Sequence, residues 1–165
     1  KKFTDDHVYK LIQQLKDHDI SVALNYIFGL PGDTVETMQE TYDMAVELNG
    51  PFANFYCNQA LPDSPQYREA IAKNYPLPER KGGPGWAGHS QYGYDCEPFY
   101  MGDALTPAQI LKFRDEAQMK YYTRSEYREM MLADPNFGDI AMKNIDEWVE
   151  DVKSLKRRIL GDPRS

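Results

Sequence analysis

The segment NYIFGLPGDTVETMQ, residues 25–39, decides the fold, because an apolar run stops there at a glycine-rich corner and a helical pattern begins at once. The run before the corner, ISVALNYIF at residues 20–28, predicts a strand buried on both faces, as parallel sheets require. Gly29 and Gly32 permit backbone angles that larger residues resist. Such a corner either holds a nucleotide-like cofactor or is an ordinary turn between a strand and a helix.

The corner leads into an amphipathic helix. Asp33 or Thr34 is the expected cap, with Glu36, three residues after Asp33, as the capping-box partner. Carboxylates could also serve as acid–base groups, but Asp33 and Glu36 stand in the first turn, where the helix dipole favours negative charge, and this favours the capping interpretation. The helix then presents one apolar stripe, formed by Val35, Met38, Tyr42, Ala45 and Leu48.

The elements on either side complete a βαβ unit. Residues 5–18 predict a helix before the first strand, and FANFYCNQ, residues 52–59, predicts a second strand. Two strands joined by one helix make a right-handed parallel pair. A short helix is expected within residues 65–75. The apolar stripe of the first helix consists of Val8, Leu11, Ile12 and Leu15.

A long loop separates this unit from the rest of the chain. Residues 76–104 are rich in proline, glycine and aromatic residues and show no periodicity, which is typical of a functional or a disordered loop. Their aromatic content argues against disorder. Trp86, Tyr92 and Tyr94 either line a substrate mouth or pack on the last helices, and the sequence leaves both interpretations open.

A helical extension, residues 105–165, follows the loop. Thr106 is the expected cap of its first helix, with Pro107 in the favoured first position. A shorter helix, a break at DPNFGD and a long final helix complete the chain. The apolar stripes of the two long helices are Ile110, Phe113, Ala117 and Tyr121, and then Ile145, Trp148, Val149, Val152, Leu155 and Ile159.

Composition and charge exclude several classes of function. The chain has 165 residues, enough for one domain, and its net charge of −7 argues against general affinity for nucleic acid. No run approaches the roughly 20 apolar residues that span a bilayer. Two isolated cysteines, Cys57 and Cys96, fit a reduced, cytoplasmic setting. Neither Cys96 nor His7, His18 and His89 has metal-ligand spacing, so no metal site is predicted.

Three segments, in their order along the chain, carry a resemblance to a known family. FGLPGDT closes the first strand, FANFYCNQALPDSPQY contains the second, and GWAGHSQYGYDCEPFYMGD precedes a helix with an Arg-Asp pair, Arg114 and Asp115. The first resembles the late barrel strand and Gly-Leu-Pro-Gly-Glu-Thr turn of the radical S-adenosylmethionine enzymes, especially of their cobalamin-dependent branch. The second is similar to the next barrel strand, and the third to the aromatic loop and helix beyond the barrel.

The resemblance implies the end of a partial (β/α) barrel at residues 1–75, the aromatic loop at 76–104 and the helical extension at 105–165. The intact parent would use S-adenosylmethionine, a [4Fe–4S] cluster and, in this branch, cobalamin. The resemblance adds a cobalamin face to the interpretations open for Trp86, Tyr92 and Tyr94. It would cleave S-adenosylmethionine reductively to a 5′-deoxyadenosyl radical, which abstracts hydrogen from a small-molecule substrate, and methyl transfer or rearrangement would follow.

A motif of the family that this chain resembles is absent from its sequence. The family holds its cluster with a Cys-x3-Cys-x2-Cys loop, which is absent here, and two cysteines are too few to hold a cluster. The chain also lacks an initiator methionine and opens in a helix pattern. We therefore expect a fragment that is inactive alone, binds none of these cofactors by itself and has the missing N-terminal half of the same enzyme as its partner.

The resemblance also implies a binding site for the adenosine part of S-adenosylmethionine beside the strand that ends at Gly29. Ile27 would give the adenine an apolar contact and Gly29 would let the backbone approach closely; alternatively, Ile27 is core and Gly29 serves the turn. Asn25 shares a strand face with Ile27, and Asn58 lies in the neighbouring strand. These two amides either hold ribose or substrate hydroxyls or pair with each other or with the backbone.

Ala60 and Leu61 stand where the family's next strand ends beside the adenine. The family commonly has Pro-Tyr-Pro-Gly-Thr at this exit, and residues 60–64 share only Pro62 with that pattern. Ala60 and Leu61 therefore enter the predicted cofactor site through the resemblance alone.

Two other functions compete with this reading. A stand-alone α/β-helical interaction module, without catalysis, would need the corner only as a turn. A small nucleotide-binding protein is disfavoured because no GxGxxG or Walker-type loop is present. Two parallel strands also leave exposed edges, so self-association is expected unless the C-terminal helices cover them.

Overall fold

The computed structural model describes residues 4–75, 77, 99–135 and 138–159, with residues 153–159 as backbone only. Six helices and two strands occur in these ranges, in the order expected from the sequence. They are α1 Asp5–Asp17, β1 Ala23–Phe28, α2 Val35–Leu48, β2 Phe52–Cys57, α3 Pro65–Ala72, α4 Pro107–Thr123, α5 Ser125–Leu132 and α6 Gly138–Ile159.

The two strands form a parallel pair, which confirms the α/β fold class and the βαβ arrangement. Pairing runs in register from Ala23 opposite Phe52 to Phe28 opposite Cys57. The ladder continues one step further, because the Asn58 N–H donates to the Phe28 carbonyl at 2.7 Å. The crossover between the strands is α2, and a helical part follows beyond the sheet.

The expectation that the first strand is buried on both faces is wrong. Leu24, Tyr26 and Phe28 face the helices, whereas Ala23, Asn25 and Ile27 are exposed. The second strand alternates in the same way. A continuous apolar run indicates burial on both sides only when both sides have something to pack against, and within the described residues the helices cover one face.

An aromatic core fills the covered face. The Phe28 and Phe55 rings stack at a centroid distance of 5.7 Å, and Tyr121 of α4 meets Phe55 edge-on at 5.6 Å. The stripe of α4 is buried or half-buried as predicted. Among the stripe residues whose side chains are described, two are not buried: Leu11 of α1, which is 54% exposed, and Val35 at the start of α2.

The C-terminal helices are tied to the start of β2 by tyrosine hydroxyls. Arg124 adds a second link, because its guanidinium donates to the Val46 carbonyl and to the Asn49 side chain at the end of α2. The tyrosine hydroxyls donate to backbone carbonyls, Tyr121 to Gly50 at 2.7 Å, Tyr122 to Ala53 at 2.8 Å and Tyr127 to Pro51 at 2.9 Å.

Several predictions concern residues that lie outside the described ranges. Trp86, Tyr92 and Tyr94 belong to them, and so do His89 and Cys96. Of the long loop, the described part shows Phe99, Tyr100 and Met101 buried. Among the helices that the structure describes, none has the length and apolar character needed to cross a membrane.

Candidate functional site

The exposed face of the sheet is a small array of six side chains, which we call the open face. Its rows follow from the parallel register, in which each residue of β1 lies opposite one residue of β2. Ile27, in the row nearest the carboxyl ends, is 44% exposed, so it is not a core residue. The rows are Ala23 with Phe52, Asn25 with Asn54, and Ile27 with Tyr56.

The middle row contains an amide pair that the sequence analysis did not place. The Asn54 side-chain NH2 donates to the Asn25 Oδ1 at 2.9 Å. Asn25 was expected to pair with Asn58, if it paired at all, and that pairing is not what the structure contains. Asn54 could have been found by aligning the two strands in register, which places it directly beside Asn25.

Asn58 lies at the carboxyl end of β2 and points away from solvent. Its side chain is 5% exposed, and its Nδ2 lies 3.5 Å from the Phe99 carbonyl oxygen. Of the two alternatives for this amide, the structure shows the pairing with backbone. Asn58 therefore links the end of the strand to the described last part of the aromatic loop.

Gly29 closes β1 with a positive φ of 80°, a conformation that glycine adopts without strain. A Cβ atom at Gly29 would lie 2.8 Å from the Ile110 Cδ1 of α4. The missing side chain thus makes room for a helix on the covered side. This supports the turn interpretation of Gly29, and it does not by itself create an approach for a ligand.

Ala60 and Leu61 differ in exposure. Ala60 is fully buried in a small cluster with Ala70, Phe99 and Met101. Leu61 is 55% exposed. Leu61 is therefore accessible to a ligand, whereas Ala60 supports the chain behind it.

The corner residues 30–34 are held by a compact set of hydrogen bonds. The Asp33 carboxylate accepts from the Leu30 N–H at 2.8 Å and from the Thr37 hydroxyl at 3.1 Å. The Tyr100 hydroxyl donates to the Asp33 carbonyl at 2.8 Å. Asp33 is therefore a structural group of the turn, as the capping interpretation held, although the cap itself is Thr34.

The expected capping-box partner is wrong. Thr34 exchanges hydrogen bonds with Thr37, three residues after the actual cap, and not with Glu36 as a box counted from Asp33. Glu36 is exposed in the first turn. Its pKa is lowered, first by a hydrogen bond from the Thr34 side chain and then by one from its own backbone N–H.

Arg114 is a fully buried charge on α4, in the helix that the resemblance singled out. Its Nε lies 2.7 Å from the Asp115 Oδ1, which provides the opposite charge that a buried guanidinium requires. Asp115 is itself mostly shielded. The Arg-Asp pair therefore belongs to the packing of α4 and not to the open face.

A separate cleft of about 1110 Å³ opens at the amino ends of the strands. Its walls are mainly apolar and come from α1, from the residues before each strand, and from α5 and α6. Ligands of parallel α/β proteins bind at the carboxyl ends of the strands. We therefore assign the candidate site to the open face and the corner, despite the size of this cleft.

The described residues do not fit an iron–sulfur cluster. They contain no group of three or more His, Cys, Asp or Glu side chains that could hold a metal ion. Cys57 is a buried cysteine at the end of β2. A cluster needs several thiolates, so no step of a reaction is assigned to a cluster held by this chain.

Part of the chain is similar to a curated protein. No family model matches the chain. The chain is 36% identical over 69 residues to an anaerobic magnesium-protoporphyrin IX monomethyl ester cyclase from Rubrivivax gelatinosus. The match covers 42% of this chain and 12% of that protein, so the chain spans about an eighth of the length of its relative. This similarity supports, only at a coarse level, a relation to the radical S-adenosylmethionine enzymes.

Proposed function

We propose that this chain is the C-terminal part of a radical S-adenosylmethionine enzyme and that its open face forms part of the cofactor-binding site. The observation that carries the proposal is a parallel βαβ unit with helices on one face and Asn25, Asn54 and Ile27 exposed on the other. A barrel has the same two sides, an outer side covered by helices and an inner side that bears side chains. The 36% identity to the cyclase agrees with this assignment.

The residues of the open face suit the adenosine part of S-adenosylmethionine. Ile27 offers an exposed apolar surface to an adenine ring, and the neighbouring Tyr56 extends that surface. The amides of Asn25 and Asn54 retain donors and acceptors beyond their mutual hydrogen bond, and these can bind ribose hydroxyls. Leu61 is exposed and available for an apolar contact. Asn58 and Ala60 are buried and stabilise the end of the strand.

When it is bound, S-adenosylmethionine supplies a 5′-deoxyadenosyl radical after reductive cleavage. In this proposal the cluster that delivers the electron, and cobalamin where it is used, are held by the N-terminal half of the same enzyme. The residues of this chain bind and orient the adenosine. The isolated chain is then colourless and cleaves no S-adenosylmethionine.

The first test reads the open reading frame and assays the encoded protein. The proposal expects a Cys-x3-Cys-x2-Cys motif upstream in the same frame, and 5′-deoxyadenosine release after cluster reconstitution under reducing, anaerobic conditions. A reading frame that begins near Lys1, or a reconstituted protein that releases no 5′-deoxyadenosine, would instead favour the stand-alone interaction module.

The second test asks whether Ile27 touches the cofactor. Ile27→Asp in the full-length protein should raise the S-adenosylmethionine concentration needed for half-maximal cleavage at least about 10-fold, roughly 1.4 kcal/mol of binding. Leu11→Asp is the matched control, since Leu11 is a similarly exposed apolar residue on α1. Equal effects of the two variants would remove Ile27 from the site.

A further inference from the structure

The described last part of the aromatic loop, residues 99–104, forms a segment without helix or strand that we call the strap. Its residues enter two different parts of the fold. Phe99 and Met101 pack with Ala60 in the small cluster beyond β2, whereas Tyr100 belongs to the aromatic core. All three side chains of the strap named here are buried, so the strap is a packed part of the molecule.

Two polar contacts join the strap to the ends of the two strands. The Tyr100 hydroxyl donates to the Asp33 carbonyl, in the corner after β1, at 2.8 Å. The Asn58 Nδ2, at the end of β2, lies 3.5 Å from the Phe99 carbonyl oxygen. The first distance is that of an ordinary hydrogen bond and the second is long. The Tyr100 bond is therefore the stronger of the two links.

Asp33 is the residue through which the Tyr100 bond reaches the corner. The other hydrogen bonds of Asp33 are local: its carboxylate accepts from the Leu30 N–H and the Thr37 hydroxyl, and its own N–H donates to the Leu30 carbonyl at 2.9 Å. Local bonds fix the shape of the corner but not its position relative to β2. The Tyr100 bond joins residues 67 positions apart and can fix that position.

Gly102 leaves the space that the Tyr100 ring occupies. A Cβ atom at Gly102 would lie 2.6 Å from the Tyr100 hydroxyl oxygen and 2.7 Å from its Cζ. Contacts this short between non-bonded atoms would force the end of the ring to move away. The absence of a side chain at position 102 therefore keeps the Tyr100 hydroxyl within reach of the Asp33 carbonyl.

We propose that Tyr100 is a positioning residue for the adenosine part of S-adenosylmethionine, because its hydroxyl fixes the corner after β1 relative to the exit of β2 at Leu61. This inference rests on the proposed function, which places the adenosine between these two segments. Tyr100 is only 8% exposed, so it acts through the Asp33 backbone and not by contact with the cofactor. Its hydroxyl contributes to the binding of the cofactor and takes no part in the chemical step.

Tyr100→Phe in the full-length, cluster-reconstituted protein tests this role. It should raise the S-adenosylmethionine concentration for half-maximal cleavage about 5- to 10-fold and change the maximal rate less than about 2-fold, because a contact shared by ground and transition states affects binding alone. Gly102→Ala, which displaces the hydroxyl without deleting it, should shift the concentration in the same direction. Calorimetric titration with S-adenosylhomocysteine, which has the same adenosine part, should show the same loss of binding without turnover.

Tyr122→Phe is the matched control. It also removes a hydroxyl that donates to a backbone carbonyl, but this carbonyl belongs to Ala53 near the start of β2, away from the corner. Both the half-saturating concentration and the binding of S-adenosylhomocysteine should stay at their wild-type values. Urea denaturation establishes that each variant is folded under the assay conditions. Equal shifts for Tyr100→Phe and Tyr122→Phe would reflect a general loss of stability and would overturn the positioning role.

The outcomes separate this inference from the enzymatic one. A full-length protein that cleaves S-adenosylmethionine, with a Tyr100→Phe variant of unchanged concentration dependence, overturns the role of Tyr100 and leaves the proposed function intact. The same holds if only the maximal rate falls. Weaker binding of S-adenosylhomocysteine by Tyr100→Phe, in a full-length protein without cleavage, supports the positioning role and refutes the enzyme. A wild type that neither binds nor cleaves refutes both.

Discussion

The two glycines of the corner are required for different physical reasons. Gly29 and Gly32 both have positive φ, 80° and 90°, which larger residues adopt only with strain. Their surroundings differ, because a Cβ at Gly29 meets Ile110 whereas a Cβ at Gly32 meets nothing within 4 Å. Gly29 is therefore constrained by conformation and by packing, and Gly32 by conformation alone.

Gly29→Ala should lower the free energy of unfolding by about 2–4 kcal/mol, the sum of backbone strain and overlap with the core. Gly32→Ala, the matched control, should cost only about 1–2 kcal/mol. Adding Ile110→Val to Gly29→Ala removes the overlapping Cδ1 and should recover part of the loss. Urea denaturation measures all three proteins, and equal losses for the two glycine variants would contradict the packing argument.

For single residues, the sequence predicted the strand face of a side chain better than its hydrogen-bond partner. It placed Asn25 and Ile27 on one strand face, and the structure agrees. It did not predict the Asn25–Asn54 bond, because the partner of a side chain on a sheet depends on the register between strands. Nor could it separate Glu36 from Thr37 as the capping partner, since both follow a possible cap by three residues.

Whole elements were predicted closely, because each has its own periodicity and its own end signals. The caps at Thr34 and Thr106 and the proline in the first turn of α4 are local features that need no tertiary contact. The predictions that were wrong concern which faces of an element are exposed. Burial of Leu11 or of the second face of β1 depends on what packs there, and a single segment of sequence does not contain that information.

The N-terminal cap of α2 leads to a prediction about the stability of the protein. Thr34→Ala removes the acceptor for the Thr37 N–H and should destabilise the protein by about 1 kcal/mol. Thr34→Ser keeps the hydroxyl and should cost less than half as much. Thermal or urea unfolding followed by helical circular dichroism measures both variants. A Thr34→Ala variant as stable as the wild type would show that Thr34 does not limit the stability of α2.

For the whole molecule, tyrosine hydroxyls decide how the C-terminal helices join the βαβ unit. Tyr122 satisfies two backbone groups of Ala53, whereas Tyr127 satisfies one carbonyl. Tyr122→Phe should therefore lower the free energy of unfolding by about 2 kcal/mol, and Tyr127→Phe by about 1 kcal/mol. Urea denaturation compares them, and a loss for Tyr127→Phe larger than that for Tyr122→Phe would reverse the ranking proposed for the two hydroxyls.

The same cluster predicts a loss of stability at alkaline pH. Burial raises the pKa of Tyr121 to about 12, and burial also raises the pKa values of Tyr122 and Tyr127. A phenol with a raised pKa in the folded state ionises first in the unfolded chain. Its contribution is therefore complete below the ordinary pKa of 10.0 and is lost as the pH rises from there to about 12. Tyr121→Phe should show a shallower fall in the free energy of unfolding over this range, and an unchanged slope would contradict the assignment.

The Tyr122 hydroxyl has an evolutionary consequence. A single nucleotide change converts a tyrosine codon into a phenylalanine codon, which would keep the ring in place and delete one oxygen atom. Descendants with that change would leave the Ala53 N–H and carbonyl open to a further strand, and polymerisation into longer sheets would meet no barrier there. Purifying selection on that oxygen would then reflect stability and protection from misassembly together, independent of any catalytic duty.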